Sequence, residues 1–225
     1  TFCIRAAYSD NGGTIDKYDQ RPEFTTAAGG ATLTQNDFRF YVDNNALDPT
    51  DPWGNPDLGE NAVLTVIPVS NDPPASGSEI RIRMSVAVTG QTLNASAQAF
   101  NLQYAAASNC TSASGWTAVG ASTSSSIWRF GESGTSGTNL SGDPPTAGDL
   151  NLAVSDRAGK YAEANPTGAN PFAVAAGEDV EWDFSVRHNG ATEATTYCFR
   201  VVKSDDSAIS YNSDGYPKIE TKPGT

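Results

Sequence analysis

Acidic side chains are concentrated in a Pro-rich segment, where their oxygens can act as metal ligands. The oxygen-bearing members are Asp43, Asn45, Asp48, Asp51, Asp57 and Glu60. Carboxylate and amide oxygens in a loop are the ligands that Ca²⁺ prefers. The segment does not match the calcium consensus of helix–loop–helix proteins, so a solvated turn is the alternative reading. Calcium is the one cofactor that the sequence predicts, and its expected ligands are Asp43, Asp48, Asp51, Asp57 and Glu60.

Catalytic chemistry has few candidates in this chain. Glu181 and Asp183 fall on one face of a predicted strand, and paired carboxylates can hydrolyse glycosides, but acidic solvent-exposed strand faces are common. His188 is the single histidine, in an Arg-His-Asn-Gly turn pattern, and no Gly-x-Ser-x-Gly motif accompanies it. One histidine without a closely spaced cysteine pair does not indicate zinc. We therefore predict no enzyme and no catalytic residues, with His188 exposed in a turn.

Four tryptophans offer flat rings on which sugars can stack. Trp182 alternates with core-type residues, and Trp116 follows Cys110 closely, so both are expected inside the protein, Trp116 beside a disulfide. Trp53 and Trp128 have no such constraint and are expected to be exposed. They are the candidate residues for binding a glycan ligand.

Period-two alternation of apolar and polar residues marks the elements that must position these side chains. It predicts strands at 38–42, 62–68, 79–88, 100–104, 116–119, 126–130, 149–154, 180–186 and 197–203. The single helical signal covers one or two turns within 155–164. Alternation of this kind is typical of antiparallel sheets with one solvent-exposed face. The expected fold is an all-β, antiparallel, Ig-like or jelly-roll-like β-sandwich with long loops.

The beginning of the chain repeats a segment near its end. Residues 1–10 and 196–205 share Thr, Cys, Arg, Ser and Asp at five of ten positions, with an offset of 195 residues. The same offset places Pro22 on Pro217, Phe24 on Ile219 and Thr26 on Thr221. Both copies read as a strand, a polar loop and a second strand. A lone hairpin is marginally stable in water, so residues 1–26 are expected to dock on a preceding repeat or subunit.

The three cysteines agree with this repeat. Cys110 and Cys198 lie in the same predicted domain and can form a disulfide that closes a long loop. Cys3 is the repeat equivalent of Cys198. Its partner is then expected in the preceding unit, and a buried free thiol is the alternative.

Composition limits the partners and the location. The 14 basic and 26 acidic side chains give a formal net charge of −12, which opposes binding to nucleic acid or anionic lipid. The sequence contains no apolar run of about 18 residues, so no membrane span is predicted. The chain starts at Thr1 without an initiator Met or signal peptide, which we interpret as a removed leader or a fragment.

Several motifs together resemble a known kind of module. They are Asn36-Asp-Phe-Arg-Phe-Tyr-Val-Asp43, Leu58-Gly-Glu-Asn61, Ile80-Arg-Ile-Arg-Met84, Phe100-Asn-Leu-Gln-Tyr104, Gly177-Glu-Asp-Val-Glu-Trp182 and Thr195-Thr-Tyr-Cys-Phe-Arg200, together with Cys110 and Trp116. The chain resembles β-sandwich modules that repeat in secreted surface proteins of uncultivated, small-genome bacteria. The resemblance implies location and architecture but no catalytic residues. The lone N-terminal hairpin is also similar, in architecture alone, to donor segments of subunits that polymerise by strand exchange.

The sequence thus predicts two parts, an N-terminal hairpin at 1–26 and a β-sandwich module at 27–225. The expected function is that of a structural subunit or repeat of an extracellular filament or cell-surface layer, whose copies assemble head to tail through β-strand contacts. The residues expected to make that contact are Thr1, Phe2, Cys3, Ile4, Arg5 and Ala6. The alternative is a glycan-binding adhesin module that uses Trp53 and Trp128.

Overall fold

The computed structural model describes residues 2–3, 23–24, 29–43, 52–54, 57–66, 79–140 and 156–221. The chain divides into two compact units, Thr1–Gly30 and Ala31–Thr225. In the first unit, strand β1 (Phe2–Cys3) pairs antiparallel with strand β2 (Glu23–Phe24). No helix in the described part of the chain is long and apolar enough to cross a membrane.

The second unit contains one six-stranded sheet with a central antiparallel core. Its strands are β3 (Thr32–Val42), β5 (Ile80–Thr89), β8 (Trp128–Phe130), β9 (Arg157–Ala162), β10 (Asp179–His188) and β12 (Ser210–Tyr211). The order is β12-β3-β5-β10-β8, and β9 pairs with β10. The long strands β5 and β10 are among those whose sequences alternate clearly, whereas β3 starts at Thr32, six residues before the strand predicted at 38–42.

A five-stranded sheet completes the sandwich. Its strands are β4 (Leu64–Val66), β6 (Phe100–Ala106), β7 (Thr117–Ala118), β11 (Thr196–Lys203) and β13 (Lys218–Thr221). They lie in the order β4-β13-β11-β6-β7. A short 3₁₀ helix at Cys110–Ser112 follows β6.

The core lies between the two sheets and confirms the predicted inward faces. Ile80, Ile82 and Met84 of β5 are fully buried, and Trp182 of β10 is 1% exposed. The Trp182 ring meets Phe100 of the second sheet edge-on, with ring centroids 4.8 Å apart. Aromatic edge contacts of this kind add to the hydrophobic burial that holds two sheets together.

The predicted all-β sandwich is confirmed, and three of its strand pairs are parallel rather than antiparallel. They are β9 with β10, β12 with β3, and β4 with β13. Each parallel pair adds a short strand at the edge of an antiparallel arrangement. The sheets are therefore mixed, and the chain is an all-β sandwich.

Strand β9 occupies the segment for which the sequence predicted helical turns. Ala158 and Gly159 let its backbone approach β10, and a Cβ atom on Gly159 would clash with the carbonyl oxygen of Glu181. Alanine favours a helix, but burial against a neighbouring strand outweighs that preference. The strand predicted at 149–154 lies outside the described residues.

Candidate functional site

The N-terminal strand pair has the same register as the last strand pair of the sandwich. In the first unit, Phe2 pairs with Phe24 and Cys3 with Glu23. Adding the offset of 195 gives Tyr197 with Ile219 and Cys198 with Lys218, and both pairs are present between β11 and β13. The repeat is therefore a repeat of strand pairing as well as of sequence. Thr1, Ile4, Arg5 and Ala6 of the predicted contact lie outside the described residues.

The predicted disulfide between Cys110 and Cys198 is confirmed. It joins residues 88 positions apart, with a Cα–Cα distance of 5.5 Å. Trp116 and Tyr216 pack on it, so the predicted place of Trp116 is also confirmed. The Arg200 guanidinium lies over the Trp116 ring, 4.2 Å from its centroid, and donates two hydrogen bonds to the Gln103 side chain.

The two tryptophans expected to be exposed are buried, so that prediction is wrong. Trp53 is 5% exposed and Trp128 is fully buried. Trp128 belongs to the short strand β8, whose pairing with the end of β10 directs the ring into the core. There it meets Phe199 edge-on at 5.0 Å. Neither ring offers a free face on which a sugar could stack, and the glycan-binding alternative loses its residues.

The prediction that His188 is exposed in a turn is also wrong. It is the last residue of β10 rather than an exposed turn residue, and it is 5% exposed. Its ring centroid lies 5.7 Å from that of Trp128. The chain bends at Asn189 and Gly190 after β10 ends at His188, and it leads to β11 of the other sheet rather than forming a hairpin.

The predicted calcium ligands are only partly within the described residues. Asp43 directly follows β3 and accepts hydrogen bonds from the Ser133 and Ser185 hydroxyls, each at 2.7 Å. Asp57 and Glu60 are exposed, and Asp48 and Asp51 lie outside the described residues. In the described part of the chain, no three His, Cys, Asp or Glu side chains are placed to share a metal ion. Calcium binding by the full set stays a prediction.

The face of the first sheet that the sequence assigned to solvent is buried and ionic. Arg81, Arg83, Glu181 and Asp183 are each at most 1% exposed. Arg83 donates from Nε and Nη2 to Asp183 at 2.9 Å, and its Nη1 lies 3.3 Å from Glu181. The prediction of a wet face for Glu181 and Asp183 is therefore wrong. Alternation identifies two faces of a strand but cannot say whether the second one is covered.

Residues of β9 and of nearby loops contact this polar layer and extend it. Arg81 lies over the Tyr161 ring of β9, 4.6 Å from its centroid. The Tyr161 hydroxyl donates to Glu163 at 2.5 Å and lies 3.1 Å from the Ser133 hydroxyl. Burial is the largest cause that raises the pKa of Tyr161, and the hydrogen bond to Glu163 acts in the same direction. No local sequence signal distinguishes these residues from an exposed polar face.

Two surface cavities in the described part of the chain are lined by residues other than the buried carboxylates. One cavity, of about 340 Å³, is lined by residues of β3 and the segment before β12, including Leu33, Lys203 and Ile209. The other, of about 450 Å³, lies beside the end of β6 and is lined by Tyr104, Ile127, Thr192 and their neighbours.

Comparisons of the chain with protein-family models, with curated proteins and with solved structures found no match. The resemblance to repeated modules of bacterial surface proteins therefore stays a prediction. The repeated strand pair is the feature of the molecule on which the proposed function rests.

Proposed function

We propose that the chain is a structural module of an extracellular filament or cell-surface layer, in which copies join head to tail through β-strand contacts. The observation that carries this proposal is the equal register of β1–β2 and β11–β13 across the 195-residue offset. A strand pair that occurs a second time in the chain supplies backbone groups for pairing with another unit.

Two further properties support a location outside the cell. The Cys110–Cys198 disulfide is of a kind that forms and persists in oxidising compartments. The formal net charge of −12 suits a surface that stays soluble and does not attract nucleic acid or anionic lipid.

The proposal is tested on the source cells with antibodies raised against the sandwich unit. We expect immunogold labelling of intact, non-permeabilised cells, with gold particles in rows or in a continuous layer. Denaturing gels under reducing conditions then report whether the modules are separate chains of 23.5 kDa or parts of a much longer polypeptide. Labelling confined to the cell interior would overturn the proposal.

A further inference from the structure

Within the sandwich, the strand pair β11–β13 is held on both sides by other strands. Residues Tyr197–Lys203 pair antiparallel with Phe100–Ala106 of β6. On the other side, β13 pairs parallel with β4. The pair therefore lies inside a five-stranded sheet.

The N-terminal pair β1–β2 forms a two-stranded sheet among the described residues. A two-stranded sheet in water is marginally stable, because it buries little apolar surface and leaves two edges unpaired. Its register nevertheless equals that of β11–β13, a pair whose sheet provides a neighbour on each side. The shared register indicates that β1–β2 requires neighbouring strands of the same kind, one on each side.

Three of the residues that are identical in the two copies contact parts of the sandwich outside the strand pair. In the C-terminal copy, the Thr196 carbonyl oxygen accepts from Ala107 N, next to β6, and Cys198 is bonded to Cys110. Thr221 Oγ1 accepts from Thr195 N and donates toward the Thr192 carbonyl oxygen. The offset places Thr1, Cys3 and Thr26 at these three positions.

We infer that β1–β2 is the terminal strand pair of a second copy of this sandwich, and that it lies there between strands equivalent to β6 and β4. The partner is thus a second copy of residues 31–195, which lacks its own β11–β13 and receives this strand pair in their place. The inference rests on the proposed head-to-tail function and identifies the surface that makes the contact.

The inference assigns a partner to Cys3, which becomes equivalent to Cys198. The Cys3 thiol forms a disulfide with the cysteine equivalent to Cys110 in the second copy. The two thiols lose two protons and two electrons, and a disulfide oxidant such as oxidised glutathione is reduced to two thiols. All cysteines of consecutive units are then paired.

A fusion protein that places residues 31–195 directly before the whole chain 1–225 tests the inference. In this protein, the first copy of the sandwich can be completed only by residues 1–26. After folding in a glutathione redox buffer, we expect non-reducing peptide mapping to find Cys3 linked to Cys110 of the first copy. We also expect the calorimetric heat of unfolding to be about twice that of the chain 1–225, because this heat scales with the number of folded residues.

Matched variants of the fusion separate a specific contact from a nonspecific one. Phe2 is equivalent to Tyr197, which is 2% exposed and contacts Trp128, so Phe2→Asp is expected to remove the first-copy disulfide and half of the heat. Glu23→Lys is expected to keep both, because it introduces the residue present at the equivalent position 218 of β13. A fusion that carries residues 196–221 in place of 1–26 is the positive control.

The inference is overturned if Cys3 stays a free thiol, or pairs elsewhere, while the positive control forms both disulfides. That outcome leaves the proposed function intact when rows or layers of modules are still present on cells. Conversely, a correctly paired fusion with antibody labelling only inside cells would retain the inference and reject the proposed location.

Discussion

Arg83 is the main compensating charge for the carboxylates of the buried polar layer. Burial lowers its pKa, but the charge and hydrogen bonds of Asp183 outweigh that effect and hold the pKa above the ordinary value. A guanidinium does not lose its proton in proteins, so Arg83 is a cation in the folded chain. Its removal would leave Asp183 and Glu181 buried with less compensation, which is expensive in a medium of low dielectric constant.

We predict that Arg83→Met lowers the free energy of unfolding by about 3–5 kcal/mol, as expected when one partner of a buried ion pair is removed. Urea unfolding followed by tryptophan fluorescence measures this change. Arg157→Met is the matched control, because the Arg157–Glu178 pair is partly exposed, with side chains 34% and 19% accessible. Its loss should be at most about 1 kcal/mol. Equal losses for the two variants would contradict the prediction.

Tyr41 gives the same layer a dependence on alkaline pH. Burial is the largest cause that raises the pKa of Tyr41 from 10.0 to about 12, and it is partly offset by Arg83 and Arg39. The folded protein therefore binds the phenolic proton more tightly than the unfolded chain does. The stabilisation is complete below pH 10 and is lost as the pH rises from about 10 to about 12.

We predict that the free energy of unfolding falls between pH 10 and pH 12, and that Tyr41→Phe makes this fall shallower because it removes one titrating group. Denaturant titrations at a series of alkaline pH values measure the slope. The double variant with Tyr161→Phe should be flatter still, since the pKa of Tyr161 is also raised. An unchanged slope in the double variant would show that other groups control the alkaline transition.

At the scale of the elements, β11 extends past the end of its partner β13. Side chains supply the backbone hydrogen bonds that β13 does not make there. Beyond the Cys198–Lys218 pair, Val201 N donates to Gln35 Oε1 at 2.8 Å, and the Tyr211 hydroxyl donates to the Val201 carbonyl oxygen at 2.9 Å. Gln35 belongs to β3 of the opposite sheet, and a shift in register follows it along that strand. A β-bulge of this kind redirects side chains relative to the regular alternation.

We predict that Gln35→Leu costs roughly 1–3 kcal/mol in the free energy of unfolding, because it leaves the buried Val201 amide without its acceptor. Chemical denaturation measures the loss, and hydrogen exchange should show faster exchange at the Val201 amide. Gln103→Leu is the control, because its partner Arg200 is partly accessible to water. A larger loss for Gln103→Leu than for Gln35→Leu would contradict this account.

At the scale of the whole molecule, the disulfide and the repeat indicate which strands and cysteines form one sandwich. Cys110 follows β6 and Cys198 lies in β11, so the bond ties two neighbouring strands that are distant in sequence. A cross-link between residues 88 positions apart removes much of the conformational freedom of the unfolded chain. The third cysteine is outside this unit and has no part in that restriction.

We predict that the double variant Cys110→Ser with Cys198→Ser loses about 4 kcal/mol of stability, from the loop-entropy relation for a long closed loop. The chain with Cys3→Ser should keep the full stability of the sandwich. Thermal unfolding with and without a reducing agent measures both effects. A loss in the Cys3→Ser chain as large as that in the double variant would place Cys3 within the stabilising cross-link of its own module.

The sequence by itself determined the all-β class, the inward faces of β5 and β10, the Cys110–Cys198 bond and the duplicated strand pair. These features depend on short periods or on matches along the chain, which are visible without coordinates. Only the tertiary structure decided that Arg83 and Asp183 are buried and that Trp53 and Trp128 are core residues. It also decided that 157–162 is a strand. Alternation assigns a residue to one of two faces, whereas the contacts that cover a face come from distant parts of the chain.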